Sequence, residues 1–498
     1  MDYPQWKAPS EDGQVLIWPE PRRVIEDTRR NNQLLKGAGA LIQGVAMSEL
    51  RRHQRQWLGH NQADRPIIAT GHQAELYHPG VWVKNVLIQM AADQLQGDAV
   101  HVAVDTDEPK HLNVRWPGGN EPLTDDPGLP TAAWSGLLDG PTPAHLKHLE
   151  EHLRRSAGAW PFESSMQIWP FLSSMRRLAL EPAKLSAALT NAMHQLDWDL
   201  GLKHHALVAS PVWQSPSYLV FAHHIMARAQ AFAADYNAAL GAFRSAYRID
   251  NPGRPMPDLK QQDNRCESPF WVDDLELGRR RRAMLHQQQD RWVLPCGGDG
   301  FAFDPHKEGW MAAEELAAWL RTHRLRLSPR ALMLTTFMRL LVVDQFVHGI
   351  GGGRYDQVAN DLMARHFGIM PPTFAVTTAT LYFPLAVGRS RVCLPCLQQE
   401  GHRLRHSILG EEKMAMVRQI EALPRKSMER SALFSTMHRR LDRAVREPAI
   451  VEWEQRYRQA QAADLEDQNI FDRELFYALQ PRDRLEALIG KYRREFAV

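Results

Sequence analysis

The stretch Pro66-Ile67-Ile68-Ala69-Thr70-Gly71-His72-Gln73-Ala74-Glu75-Leu76-Tyr77-His78-Pro79-Gly80 carries the first decision about the fold. Pro66 to Thr70 is a short apolar run bounded by proline and glycine, which suits a buried strand better than a helix. Beyond the loop, Val83, Val86, Leu87, Met90, Ala91 and Leu95 fall close to the i, i+3, i+4, i+7 pattern and predict a helix with one apolar stripe, ended at Gly97. Ala99-Val100-His101-Val102-Ala103-Val104 predicts a second strand, which runs directly into Asp105-Thr106-Asp107-Glu108-Pro109. A strand, helix, strand unit closes as a right-handed parallel crossover, so the chain reads as α/β with a parallel sheet.

Working outward, residues 1–60 read as an N-terminal helical extension, with one helix around Arg22 to Arg55. Residues 61–260 form the core and carry a helical insertion near 118–200, where a Gly- and Pro-rich connection is followed by a helical stretch from Ala144 to Trp198. His205 to Ser210 is a third strand, and Tyr218 to Phe243 a long amphipathic helix. Residues 261–325 read as a small antiparallel subdomain. Residues 326–396 complete the core: Ser328-Pro329 as N-cap and first residue of a helix to about Val343, a strand at Phe346 to Ile350, then Gly351-Gly352-Gly353-Arg354 as a loop before a helix that stops at Gly368. Residues 397–475 read as a coiled-coil-like helical hairpin, and 476–498 as a C-terminal helix packed on the core.

Composition excludes several classes. The 498 residues are 44% hydrophobic and carry a net charge of +2, so a large core is available and a generic polyanion binder is not expected. Gly401 to Arg446 holds eleven Lys/Arg and five Asp/Glu, and Glu447 to Glu474 three and eight, so the basic block is expected to pair with the acidic one rather than with nucleic acid. The most apolar stretch, Ala331 to Ile350, is interrupted by Arg339, Asp344 and His348 and does not reach the ~20 clean residues of a membrane span. Four cysteines in so long a chain, behind an N-terminus with no apolar leader, predict a cytoplasmic protein with reduced thiols. Cys393-Leu394-Pro395-Cys396 has zinc-like spacing, but Cys266 and Cys296 form no second close pair, so no metal is expected. The Arg279–Arg282 tract beside Asp273, Asp274 and Glu276 reads as a solvated face or a local ion-pair cluster.

Ligands of open α/β sheets bind outside the carboxyl ends of the strands, and three such ends here are polar. At Gly71-His72-Gln73 the glycine permits a tight turn, and His72 and Gln73 can donate to an anionic or carbonyl oxygen; the alternative is a satisfied turn histidine. Asp105 and Asp107 can bind a ribose or sugar hydroxyl, hold a magnesium ion or act as a general base toward an amine, or can cap an acidic turn. Gly351, Gly352 and Gly353 offer backbone N–H groups at a helix start and Arg354 a bidentate contact, or they fit a tight turn. The catalytic candidates are His72, Asp105 and Asp107. The ligand-binding candidates are Gly71, Gln73, His78, Lys84, Gly351, Gly352, Gly353 and Arg354.

Thr70 to Leu76, the acidic strand end Val104-Asp105-Thr106-Asp107, the Gly351–Gly353 segment, and Leu475-Phe476-Tyr477-Ala478-Leu479-Gln480-Pro481 before a final helix resemble, in the same order, the bacillithiol biosynthesis cysteine-adding enzymes. The resemblance covers most of residues 60–498 through short motifs. It implies a Rossmann-like, nucleotidyltransferase-like core, a C-terminal helical hairpin used for homodimerisation, and the joining of the carboxyl group of cysteine to the amine of an amino-sugar compound. The cofactor stays open, with ATP or another nucleotide as the candidate. The chain departs from the family at His72-Gln73, where two glutamines are typical, at Asp-Thr-Asp in place of Asp-His-Asp, and at Arg354-Tyr355-Asp356. The expected function is therefore an amide-forming ligase or nucleotidyl-transfer enzyme, and the alternative a catalytically silent scaffold or small-molecule-binding protein with the same fold.

Overall fold

The computed structural model describes residues 5–62, 64–297, 299–387, 393–407, 410–443 and 448–497. They fall into two compact units, Met1–Leu381 with Arg473–Val498, and Tyr382–Asp472.

The first unit is built on a six-stranded mixed sheet, mostly parallel. Its strands are β1 (Val15–Trp18), β2 (Ile67–Gln73), β3 (Asp98–Val104) and β4 (His205–Val208). A second, antiparallel sheet follows in β5 (Arg265–Asp274), β6 (Arg279–Gln288), β7 (Arg291–Cys296), β8 (Asp299–Phe303) and β9 (Leu325–Pro329). The main sheet is completed by β10 (Gln345–His348) and β11 (Phe374–Ala379), giving the order β1-β11-β10-β2-β3-β4, with β1 antiparallel to β11 and the other neighbours parallel. From β2 the chain builds outward through β3 to β4, and from β10 it builds the other way to β11. The strand order therefore reverses between β2 and β10, the place where open α/β sheets open a crevice.

The helices of this unit are α1 (Pro21–Gly37), α2 (Met47–Trp57), α3 (Pro79–Leu95), α4 (Pro143–Ala157), α5 (Ile168–Leu178), α6 (Leu185–Asp199), α7 (Pro216–Ala227), α8 (Ala229–Tyr247), α9 (Gly309–Thr322), α10 (Ala331–Leu341) and α11 (Ile350–Phe367), which α16 (Arg482–Phe496) joins below. The stretch 22–55 is two helices, because Gln43 and Gly44 take left-handed φ values of 51° and 78° in a hairpin between them. Tyr218–Phe243 is also divided, at Arg228, whose φ of −118° and ψ of 34° are not helical.

Ser328-Pro329 does not start a helix. It ends β9, where the Ser328 hydroxyl donates to Asp273 and the strand pairs with β5, so the antiparallel subdomain runs on to residue 329. Gly351–Gly353 is not a loop either: the helix begins at Ile350, and the three glycines form its first turn. The arginine tract lies on β6, where Arg280 pairs with Asp273 and Arg282 with Glu267.

Burial explains why α3 shows more than one apolar stripe. It packs on β2, β3 and β11 and is covered by α1 and α16, so nearly every residue from Pro79 to Ala92 is buried. At about 1.5–3 kcal/mol for each large apolar side chain removed from water, this helix contributes strongly to the core. The chain comes close to its neighbours at Gly80, where an added Cβ would lie 2.6 Å from the Ala379 carbonyl oxygen.

The first 60 residues belong to the same unit. Asp344, at the entrance of β10, accepts from Arg51 (2.5 Å) and Arg55 (2.9 Å) of α2, from Asn32 of α1 (2.9 Å) and from the Ile67 N–H of β2 (2.8 Å). A fully buried carboxylate stays ionised only when partnered this way, and the two guanidiniums hold its pKa below the usual carboxylate value. The C-terminal segment is equally integral: Tyr477 stacks on Tyr77 and Trp82.

The second unit contains α12 (Leu394–Ser407), α13 (Gly410–Ala422), α14 (Met428–Arg443) and α15 (Pro448–Ile470), with α16 returning to the first unit. In place of one two-helix hairpin, α12 packs with α15 and α13 with α14. The first pair is drawn close at Gly401, which sits against the Trp453 ring, and Arg456 pairs with Glu400. Met416, Ile420, Met437 and Leu441, with Leu433 beside them, form the core of the second pair, while Phe434 is half exposed. Of the other apolar positions expected from the sequence to form a dimer face, Leu404 lies on α12, and Ile408 falls outside the described residues. The expectation of fully reduced thiols is corrected here. Cys393 and Cys396 are joined by a disulfide, since one turn at the start of α12 brings their Cα atoms to 5.2 Å; Cys266 and Cys296 are free. Among the described residues no helix is long and apolar enough to cross a membrane.

Candidate active site

A cleft of about 560 Å³ opens at the carboxyl ends of β2, β10 and β11, where the strand order reverses. The register sets Thr70 opposite Val347, so Gly71 and His72 emerge from the sheet beside His348. Two helices begin at the cleft. His78 and Gly349 are the N-caps of α3 and α11, and the unpaired N–H groups of a helix's first turn favour negative charge. Lys7, Lys84, Arg354 and Arg473 line the same cleft with His72, His78 and His348, against Glu474 as the carboxylate among the described lining residues. The arrangement suits a ligand carrying phosphate or carboxylate.

Lys84 is the most informative of these groups. It is 3% exposed, and its Nζ donates to the Gly71 carbonyl oxygen at 2.8 Å. Burial pulls its pKa down from 10.5 to about 7, and the Glu75 carboxyl offsets only part of this. An anion in the cleft restores the charge that burial disfavours.

The histidines are held in defined states. His78 Nδ1 accepts from the Gly80 N–H at 3.1 Å, which leaves Nε2 as the donor of the neutral ring; burial, then Arg473, lower its pKa to about 3. His72 Nε2 lies 2.8 Å from Glu75 Oε1. Burial raises the Glu75 pKa to about 7, and burial with Lys84 and His111 pushes His72 well below its ordinary value, so a neutral imidazole ring faces a carboxyl group that titrates at about 7. His348 Nε2 is 3.0 Å from Asp356 Oδ2, and Asp356 in turn pairs with Arg339.

The cleft thus gathers Gly71, His72, His78, Lys84, Gly351, Gly352 and Arg354 of the residues singled out in the sequence. Arg354 spends part of its guanidinium on the Trp6 carbonyl oxygen (2.8 Å). Gly353 does not line the cleft: its missing Cβ makes room for Val376 and Trp6, so it serves helix packing. Asp105 does not line it either. Its carboxylate accepts from the Ser210 N–H (2.8 Å) and lies against Gly136, tying the ends of β3 and β4 to the insertion. Asp107 accepts from Gln73 (2.9 Å), so those two residues are occupied with each other. Of the three polar segments singled out in the sequence, those of His72 and Arg354 meet in the cleft, and that of Asp105 does not.

Sequence reading passed over Glu75, His348, Asp356, Thr378 and Arg473. A usable signal existed for His348 and Asp356, a histidine at a strand end followed eight residues later by an aspartate on the next helix. Arg473 had none, because it reaches the cleft from a part of the chain about 400 residues away from His72; there it donates to Thr378 and to the Ala379 carbonyl. A small polar pocket around His101, His194, Asp197 and His204 encloses only about 10 Å³ and is too small for a substrate. Among the described residues no group of three or more His, Cys, Asp or Glu side chains is placed to hold a metal ion. No protein-family model matches the sequence, and no curated protein matches it significantly.

Proposed function

We propose that the protein is an enzyme of the amide-forming ligase or nucleotidyl-transfer type. It joins a cysteine or similar amino acid to the amine of an amino-sugar compound, with ATP or another nucleotide as the activating cofactor, on a Rossmann-like core. The observation that carries this reading is the convergence of the buried Lys84 with the more accessible Arg354 and Arg473 and two helix N-termini at the reversal point of the sheet, since activated carboxyl groups and nucleotides present the anionic oxygens such a site binds. In this reading Lys84 and Arg354 hold the phosphate or carboxylate, and His78 and His72 donate to developing oxyanion charge.

Thermal shift of the full chain with ATP, inorganic pyrophosphate, cysteine and glucosamine tests it. A rise in melting temperature with ATP or pyrophosphate, lost in Arg354→Ala, is expected; no response to any anion sinks the reading. The absence of Asp105 from the cleft favours a second reading, a binding protein without turnover. Stabilisation by ligand with no amide product identifies that case.

Homodimerisation through the four-helix second unit is proposed with it. Its support is the exposure of Met428 (90%) and Phe434 (50%). A monomer in light scattering of the intact chain refutes it.

A further inference from the structure

We propose that His348, through Nδ1, is the proton acceptor of the cleft, held in that role by Asp356 and Arg339. The inference rests on the ligase reading above and supplies the base that Asp105, engaged with Ser210, does not.

Arg339 is 1% exposed and fixes Asp356, so the carboxylate stays ionised and only accepts. The ring nitrogen facing it, Nε2 at 3.0 Å, therefore carries the proton. The lone pair of the neutral ring is then on Nδ1. His348 lines the cleft, and no protein group bonds to Nδ1 among the described residues. A ring that accepts a proton at Nδ1 becomes an imidazolium whose Nε2–H already points at a carboxylate, the arrangement that stabilises the charged form as it appears. Burial otherwise disfavours that charge and keeps the resting ring neutral.

Gly352 provides a second, independent observation. It lies in the first turn of α11, and Gly352 is not among the positive-φ glycines, so backbone freedom does not explain it. A Cβ there would lie 2.9 Å from His348 Nδ1, whereas a Cβ on neighbouring Gly351 would meet nothing within 4 Å. Any side chain at 352 crowds Nδ1; glycine leaves that nitrogen uncrowded on this side.

The step served is aminolysis of an acyl phosphate or acyl adenylate. The amine nitrogen forms a bond to the acyl carbon, the carbon–oxygen bond to phosphate breaks, and the surplus proton of the nitrogen passes to Nδ1 and from there to the departing phosphate. Asp356 and Arg339 are positioning residues, since neither touches the reacting atoms.

The test is carbethoxylation by diethyl pyrocarbonate, which reports a neutral imidazole lone pair, on the intact chain with peptide mass spectrometry and exposed His306 as the internal standard. His348 is expected to react in the wild type and, in Gly352→Ala, to react at least about tenfold more slowly with His306 unchanged, because Nδ1 is crowded. An unreactive His348 in the wild type, or an undiminished rate in Gly352→Ala, overturns the proposal. His348→Gln should then bind pyrophosphate as the wild type does while losing roughly 100-fold or more in kcat for aminolysis of acetyl phosphate by glucosamine, with KM little changed; retained kcat also overturns it. If pyrophosphate neither binds nor protects His348, the ligase reading fails, and the reactivity of the ring still decides whether Nδ1 is the open base.

Discussion

Lys84→Met separates the demands of the cleft from those of the fold. The wild-type ammonium is buried, and its pKa falls from 10.5 to about 7. In the unfolded chain Lys84 titrates near its ordinary value, so between about pH 7 and 10.5 the unfolded state binds more protons and stability rises with pH. Below pH 7 both states are protonated and the full cost is present; at roughly 1.4 kcal/mol per pH unit it amounts to about 4–5 kcal/mol. Methionine fills a similar slot without that cost but leaves the Gly71 carbonyl without its donor, a loss of about 1–3 kcal/mol. The variant should therefore be more stable than the wild type at pH 6.5 by roughly 2 kcal/mol. It should be less stable by roughly 1 kcal/mol at pH 10, where most of the charging cost has gone and only the missing hydrogen bond counts. Urea unfolding at the two pH values measures this crossing, and calorimetric titration with pyrophosphate should show affinity reduced about 10- to 100-fold, the range for losing a charge-assisted bond. A variant less stable than the wild type at pH 6.5, or one with unchanged anion affinity, refutes the account of Lys84 as a residue held for ligand at the expense of the fold.

Three further outcomes follow from the packing and the hydrogen bonds. Asp344→Asn should destabilise the protein by about 3–5 kcal/mol in urea, because Arg51 and Arg55 are left buried beside a neutral group. Since the folded pKa of Asp344 is depressed, its contribution is full above the ordinary carboxylate value and is lost as pH falls below it. Gly80→Ala should cost about 1–3 kcal/mol despite alanine's better helix propensity, because its Cβ meets backbone at Ala379; an unchanged urea midpoint contradicts this. Asp105→Asn should leave pyrophosphate affinity within about twofold of wild type, since its carboxylate binds Ser210 and not the cleft, although one buried charge-assisted bond worth about 1.5–3 kcal/mol weakens. A large loss of affinity measured by calorimetry returns Asp105 to the site.

Local patterns of adjacent residues set the first elements of the fold. The short apolar run Pro66–Thr70, a helical stripe beyond His78 and the run Ala99–Val104 can hardly fold otherwise than as strand, helix and strand, because periodicity and length are properties of adjacent residues. Parallel pairing then places Gly71, His72, His78 and Lys84 at one sheet end, so half of the cleft was legible there. Where local signals conflicted with packing, packing prevailed. Ser328-Pro329 carries a helix-start signature, yet the edge of β5 and the buried Asp273 hold it as a strand; three glycines carry a loop signature, yet they continue a helix that comes close to Val376 and His348. Which polar groups meet was decided only by the tertiary structure. Asp105 and His348 both sit at strand ends, but the pairing order turns the one toward Ser210 and the insertion and the other into the cleft at the point where the strand order reverses. Arg473 arrives from the far end of the chain, and Asp356 becomes a partner of His348 because a helix, not a loop, follows β10. These are distances between residues far apart in sequence, fixed by which apolar faces bury each other, and no local pattern encodes them.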